Sequence, residues 1–562
     1  MACLPSTCPF CACGCGVLLQ EEGGRLIASF PSAAPPARSS LCIRGWHCTG
    51  AVAHPDRLTS PLVRAAAGLV PVTWQEAVSE IAGRLAGAGS PPCFAVGPTV
   101  ANEDAVAVRE LAERLGARLC ASDLTGAPAA RFALEQVPNG PPLAGPAAIG
   151  EADLVWLIGS DPAECPQVEA QVADAGRRGV PVVRVDVHRR PAAGSCLVTV
   201  PPDRLGDLGP LLHRAEAGGE AATSAAGAPA WLGDEAARAM VHDYRSARRP
   251  VVAVGARWLS SAGAEASTVA LLEALAAAGG NGRVVFAAGE SNSWGVLDVV
   301  GSDAPAAEIA CRQPGVDTVL VVADDLVRRS PRPGSMADAL SRLRTLVVID
   351  RFMTDTAALA DVVLPSCLFA ETDGTVTNLF GELRPWRRAV PPPGDARPER
   401  EWMSLLASAL ESHGEAAGSP SDRRPVAGAA PSGARDAEAT GRTASAADFP
   451  FLLVLASHPA SFSTGALTSR DEILRREAAE SVLYASPSAL KAAGLKPGWP
   501  ARLVVPDAEA TLPVRSDPRL PDEVLMLVAL PGSPPAALRG FHAEGGGRTV
   551  GLQPVPARLE RA

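Results

Sequence analysis

The opening of the chain constrains it most. Within STCPFCACGCG and SSLCIRGWHC, Cys8, Cys11 and Cys15 stand at C-x2-C-x3-C spacing, and Cys42 follows after 26 further residues. A short loop of this kind can wrap three thiolates round one face of a cubane and leave the fourth iron to a ligand from elsewhere. Four cysteine thiolates are the set a [4Fe-4S] cluster takes. Zinc also accepts four thiolates, but its sites usually show paired two-cysteine knuckles, which the x2-x3 triplet lacks. Plain buried thiols or disulfide partners are the third reading. Cys3, Cys13 and Cys48 lie close by, and Cys13, between two of the chosen ligands, cannot easily serve the same irons.

A chain of 562 residues has room for three or four domains. The net charge of −10, scattered basic residues and few aromatics speak against a nucleic-acid surface. Seven of the 13 cysteines fall within the first 48 residues, a distribution that suits a reducing compartment better than a disulfide framework. No basic segment leads into an apolar run at the start, no twin-arginine signal appears, and no apolar stretch is long enough for a bilayer. The expectation is a soluble, cytoplasmic protein.

Beyond the cysteines, HPDRLTSPLVR (His54–Arg64) reads as an extended link into a helix over Trp74–Leu85. Thr73 and Glu76 are placed to form a capping box at its start. A strand at Pro92–Val96 and a helix at Asn102–Leu115 follow. DLVWLIGSD (Asp153–Asp161), a helix over Val168–Arg178 and PVVRVDV (Pro181–Val187) make a β-α-β crossover, the unit of a parallel sheet covered by helices. Strands of the same kind recur at Pro250–Val254, Arg283–Ala287, Thr318–Ala323 and Leu346–Ile349. Ligands of such sheets bind at the carboxyl ends of the strands. Glu216–Ala230 reads as a surface insertion and Gly414–Ala447 as a disordered linker. The short strands after Phe449 form a separate β-barrel, ending near Gly540.

The order of these parts resembles the molybdopterin-dependent oxidoreductases that include formate dehydrogenase. The residues that carry the likeness are CPFCACGCG, LCIRGW, HPDRLTSPLVR, TWQEAV, ADLVWLIGSDPAE, Ile349–Asn378 and SPSALKAAGLKPG (Ser486–Gly498). The resemblance implies a multi-domain α/β fold with doubly wound parallel sheets. Its domains would be an iron–sulfur domain (1–64), a discontinuous α/β domain (65–150 and 331–413), a Rossmann-like domain (151–330), the linker (414–447) and a C-terminal barrel (448–562). It also implies two pterin guanine dinucleotides on Mo or W, with the cluster beside one pterin and Arg44 between them on the electron route. Ser160, Glu164, Asp186 and His188 would line one dinucleotide, and Asp324, Asp350 and Thr354 the other. His458, Thr464 and Thr468 would close over the phosphates. Each also has a plain reading: Asp186 as a helix cap, His458 as a loop histidine, Arg44 as a surface charge.

The pattern breaks where formate dehydrogenases carry a metal-ligating selenocysteine or cysteine followed by histidine. Here SDLTGAP (Ser122–Pro128) puts Thr125 and Gly126 in those places. Thr125 is a poor donor to molybdenum and Gly126 can move no proton. Ala288, in AAGESNSWG, stands where the family has its anion-binding arginine. A shifted alignment would offer Cys120 as the ligand instead, and Cys165 reads as a buried thiol. ESNSWGVLD (Glu290–Asp298) looks more like the large iron–sulfur subunit of respiratory complex I, though that subunit normally begins with a ferredoxin-like domain. Two functions stay in view. One is an electron-transferring subunit with one [4Fe-4S] cluster and iron–sulfur or flavin subunits as partners. The other is an active Mo or W bis-pterin enzyme with an unusual ligand. A formylmethanofuran dehydrogenase subunit fits less well, because it keeps the ligating cysteine.

Overall fold

The computed structural model describes residues 2–33, 40–189, 195–216, 232–301, 304, 306–417, 448–506, 508–533, 538, 540–544 and 549–562. Most of the expected insertion at 216–230 and of the expected linker at 414–447 lies outside them. The chain begins with an antiparallel sheet of Ala2–Thr7, Gly16–Glu22 and Arg25–Pro31, and the cysteine loop joins its first two strands.

Two larger sheets form the body. LVWLI, PVVAVG, TVLVV and TLVVID are buried at every position, as strands covered by helices on both faces must be. One sheet has five parallel strands in the order Ser195–Thr199, Val182–Asp186, Leu154–Ile158, Pro250–Gly255, Arg283–Ala287. The other runs Val362–Pro365, Thr345–Asp350, Thr318–Val322, Cys93–Val96, Arg118–Ala121 in parallel, with the antiparallel hairpin Leu62–Ala65 and Gly68–Pro71 on one edge. The helix Trp74–Ala86 that packs on this sheet starts with the expected capping box: Glu76 N–H donates to Thr73 Oγ1 (3.3 Å), and Thr73 N–H to Glu76 Oε2 (2.8 Å).

Strand order reverses once in each sheet, and at both reversals a glycine lets two backbones meet. A Cβ on Gly255 would fall 2.4 Å from Ser160 Cα, and one on Gly97 would fall 2.3 Å from the Ala323 carbonyl oxygen. Such reversals open the crevices where this sheet type holds ligands.

The C-terminal unit is a closed barrel in the order Phe451–Ala456, Val524–Val528, Val482–Ala485, Ala508–Ser516, Pro500–Val505, Val555–Arg561. Its last strand lies beyond Gly540, where the sequence pattern had ended the barrel. Val555–Arg561 pairs with both Phe451–Ala456 and Pro500–Val505, and without it the barrel would stay open. No helix among the described residues is long and apolar enough to cross a membrane.

A buried ion pair ties the segment after the cluster to the seven-stranded sheet. Arg57 donates to both oxygens of Glu371, one at 2.7 Å, and also to the carbonyls of Val52 and Ser366. Both side chains are almost wholly buried. Removing one partner strands the other charge in the interior. Glu371→Gln should therefore lower stability by roughly 3–5 kcal/mol, read from the denaturant midpoint; a shift within about 0.5 kcal/mol would show that the pair contributes little.

Candidate functional site: a thiol cluster beside a two-part crevice

The cysteine loop is held by its backbone. Cys8 N–H donates to the Cys15 carbonyl (2.9 Å), Ala12 N–H to the Gly289 carbonyl (2.9 Å), and Leu379 N–H to the Ala12 carbonyl (2.7 Å). Gly14 takes φ +63°, and a Cβ there would meet Asn378 Cβ at 2.9 Å, so the turn inside C-x3-C needs glycine. The result is one small cavity lined by Cys8, Cys11, Cys15 and Cys42 together with Arg44.

This donor set suits a [4Fe-4S] cluster. Burial, then the nearby thiols of Cys48, Cys42 and Cys15, pushes the Cys8 thiol well above its usual range. A hydrogen bond with Cys165, then burial, does the same to Cys11. Thiols crowded like this ionise only with strong positive charge among them, which iron supplies. Arg44 is buried, and its Nε and Nη1 have no hydrogen-bond partner within the protein. Cys13 and Cys165 are buried thiols in contact with each other beside the cluster residues.

Arg44 leads from this cavity to the crevice. Its Nη2 donates to the Glu164 carbonyl (3.1 Å), and its guanidinium carbon lies 4.3 Å from the Phe462 ring centroid. Glu164 and Phe462 both line the larger crevice cavity, of about 220 Å³, together with Thr125, Asp161, Arg257 and His458. A second cavity of about 40 Å³ adjoins it, lined by Asp324, Asp325, Asp350, Arg329 and Thr464. Pockets that enclose small ligands typically run to roughly 300–1,000 Å³. Both cavities are smaller.

Several crevice carboxylates are paired with the chain's own cations. Arg257 donates to Asp186 (2.6 Å) and lies 3.5 Å from Asp161. Arg329 donates to both oxygens of Asp324 (2.6 and 2.7 Å), to Glu290 and to Ser463 Oγ. His188 lies 2.9 Å from Asp517, and both are buried. Thr354 Oγ1 caps the helix Asp355–Leu359 by accepting from Ala357 N–H. Thr468 Oγ1 accepts from Phe462 N–H (3.4 Å). Of the residues expected at the dinucleotides, Glu164, Asp324, Asp350, His458 and Thr464 line these two cavities; Ser160, Asp186, His188, Thr354 and Thr468 do not.

Arg257, Arg329, Glu290, Asp123 and Phe462 are prominent here and were not singled out as site residues from sequence. Arg329 ends VADDLVRR, but nothing in that spacing tells which carboxylates it will reach. The electrostatics of two carboxyls follow from burial. Glu164 is raised to about 7 by burial and then by Asp161, with Ser457 and Arg44 acting against it. Asp350 is raised to about 7 by burial, with Arg351 acting against it.

Residues 57–408 match the model of the molybdopterin oxidoreductase family, and residues 1–54 match its Fe4S4 domain. The chain belongs to the molybdopterin oxidoreductase family. Among curated relatives, the F420-dependent formate dehydrogenase 1 subunit alpha of Methanococcus maripaludis is 24% identical over 72% of this chain and 69% of its own. The NADPH-Fe(3+) oxidoreductase subunit alpha of Geobacter sulfurreducens is 27% identical over 72% of this chain and 56% of its own. An NADH-quinone oxidoreductase subunit of Streptomyces coelicolor is 28% identical over 93% of this chain and 67% of its own. Acetylene hydratase from Pelobacter acetylenicus shares the fold at 13% identity, with a TM-score of 0.73 over 99% of this chain and all of that one.

Within this molybdopterin oxidoreductase fold, the positions that depart from the formate dehydrogenase pattern are closed by packing and hydrogen bonds. Thr125 donates its hydroxyl and its N–H to Asp123 Oδ1 (both 2.6 Å), and Ser293 donates to the other oxygen of Asp123. Ser293 Oγ in turn accepts from Glu290 N–H (2.8 Å). Gly126 takes φ +88°, and a Cβ there would sit 2.5 Å from Leu259 Cβ. Ala288 is buried. Cys120 does not rescue the ligand. It is fully buried on the strand Arg118–Ala121 and faces Cys93, away from the crevice that Leu124 and Thr125 line. The crevice thus offers no thiolate or imidazole where the formate-type pattern has them.

Asp350 gives a pH test. Its folded pKa of about 7 exceeds its ordinary 3.8, so the folded state holds the proton more tightly than the unfolded chain. The fold therefore loses stability as pH rises from about 4 to about 7, and the loss is complete above that. Asp350→Asn should gain on wild type across this window, by on the order of a few kcal/mol at pH 8. Melting temperatures at pH 5, 6, 7 and 8 check it. An advantage that stays constant with pH would sink the assignment.

Proposed function

We propose that this chain is an electron-transferring subunit of a larger redox complex, with one [4Fe-4S] centre at Cys8, Cys11, Cys15 and Cys42 and no substrate chemistry in its crevice. A [4Fe-4S] cluster, when bound, supplies one-electron transfer. The protein's part is to hold four thiolates around one small cavity and to set Arg44 between that cavity and the crevice. Relatives named as subunits of oxidoreductases support partner subunits in a redox complex, and we propose that these are of the iron–sulfur or flavin class.

The observation that carries this reading is Gly126. The position that follows the metal ligand in formate dehydrogenases is pressed against Leu259 so closely that no side chain fits. A proton-moving group there would need the helix Ala256–Leu259 to withdraw. Thr125 is meanwhile committed to Asp123, and Arg257 and Arg329 occupy the strand-end carboxylates. The surface around the cluster supports a docking role. Trp46, four residues beyond Cys42, is exposed and packs edge-to-face on exposed Phe30, with ring centroids 6.2 Å apart. Ile27, on the same strand as Phe30, is exposed too.

Metal analysis of anaerobically purified protein, with released pterin assayed alongside, tests the proposal. About four irons per chain without Mo or W is expected. Stoichiometric Mo or W with pterin would overturn it in favour of an active oxidoreductase. For the ligand set, Cys11→Ser should abolish the broad iron–sulfur absorbance, whereas Cys13→Ser should keep it. Equal spectra for the two variants would refute the assignment.

A further inference from the structure

Three cysteines that the redox function does not use converge elsewhere in the molecule. Cys93 opens the strand Cys93–Val96, Cys120 lies on the neighbouring edge strand Arg118–Ala121, and Cys311 follows the short helix Ala307–Ala310. A bridge between Ala121 and Ala306 brings that helix beside the edge strand. Arg118 reinforces the contact by donating to Gln313 Oε1 (2.7 Å), two residues past Cys311. The three sulfurs lie within 4.8 Å of one another, with Cys93 Sγ and Cys120 Sγ 3.5 Å apart. All three are buried among aliphatic side chains, and among the described residues no His, Asp or Glu joins the group.

A disulfide between Cys93 and Cys120 does not explain the arrangement, and one from either to Cys311 would leave the third thiol of the group unaccounted for. In the parallel register Cys120 pairs with Ala95, which places Cys93 two residues along the neighbouring strand. That offset is about 6.6 Å along the strand and about 4.8 Å across, so the Cα atoms are roughly 8 Å apart. Disulfides need less than about 7 Å. Metal geometry does explain it. Three thiolates about 2.3 Å from one ion in a trigonal plane have sulfurs about 4.0 Å apart, inside the observed span.

We propose that Cys93, Cys120 and Cys311 form a trigonal thiolate site for one soft d10 metal ion, monovalent copper. Three sulfurs with no fourth ligand suit copper(I), whereas structural zinc almost always takes four. The site clips the segment around Cys311 to the open edge of the seven-stranded sheet.

The test uses the full chain with its iron–sulfur cluster in place. Copper(I) is added without oxygen against a competing chromophoric chelator, and the cluster absorbance is followed throughout. Wild type should retain one equivalent of copper with its iron unchanged, and its melting temperature should rise. X-ray absorption should report a shell of three sulfurs. Cys93→Ser should lose the copper and the thermal shift while keeping four irons. Cys311→Ser, outside the sheet, serves as the second variant should Cys93→Ser fold poorly. Wild type that yields all its copper to the chelator overturns the proposal. So does copper retained equally by wild type and the Cys311→Ser variant, or gained only as iron is lost.

Discussion

The peptide of Ala12 is the joint on which the arrangement depends. Its N–H donates to Gly289 at the end of one sheet, and its carbonyl accepts from Leu379 in the segment that follows the other. The loop carries four cysteines, and beside them Phe10 is buried and packs edge-to-face on Phe462. Backbone bonds to two separate units add direction to that packing and set where the loop sits. The same stretch carries its geometry onward. Cys11 bridges to Glu290, and Glu290 accepts from Arg329, which closes on Asp324 in the second crevice. The thiol cavity and both halves of the crevice therefore form one connected network.

On the proposed reading, that network lets the crevice stand without a metal. Carboxylates at strand ends are costly when buried, and each needs a donor from a ligand or from the protein. Arg257 supplies it for Asp186, and Arg329 for Asp324 and Glu290. An arginine suits this task because its planar fork satisfies two oxygens at once and stays charged. With Asp186, Asp324 and Glu290 paired internally, these three carboxylates do not need a donor from a ligand. Thr125 and Ser293 act alike on Asp123, each bonding one of its oxygens.

Much of this was legible in the sequence, and the reason differs from part to part. The cysteine spacing, the capping box at Thr73 and Glu76, and the fully apolar strands are local patterns with a direct physical meaning. The parallel sheets follow from strands alternating with helices. The closing strand Val555–Arg561 falls inside the 448–562 barrel that the family resemblance implies, but the local pattern does not reveal it, because VPARLER alternates weakly and its partners lie far away in sequence. The pairing of Arg257 with Asp186 spans 71 residues and reflects the meeting of two strand ends, which no local pattern encodes. Cys93, Cys120 and Cys311 are likewise unremarkable one at a time, and only sheet register brings their sulfurs together.

The same reasoning separates what the fold requires from what chemistry would require. Gly97 and Gly255 are needed so that strand ends can meet at the two reversals, and they would be needed with or without a ligand. Gly126 is different in kind. A formate-type enzyme must keep a side chain there, which forces Leu259 away and holds the space open. On the proposed reading no such demand acts here, and the backbone of Leu259 lies against the position and adds packing that an open pocket forgoes. Relaxation of this sort is hard to reverse by one substitution, since restoring a histidine would also require moving the helix Ala256–Leu259. The cysteine loop stands under the opposite constraint. Burial and crowding hold Cys8 and Cys11 as neutral thiols unless a cation is bound among them, so their ionisation and the binding of iron are linked.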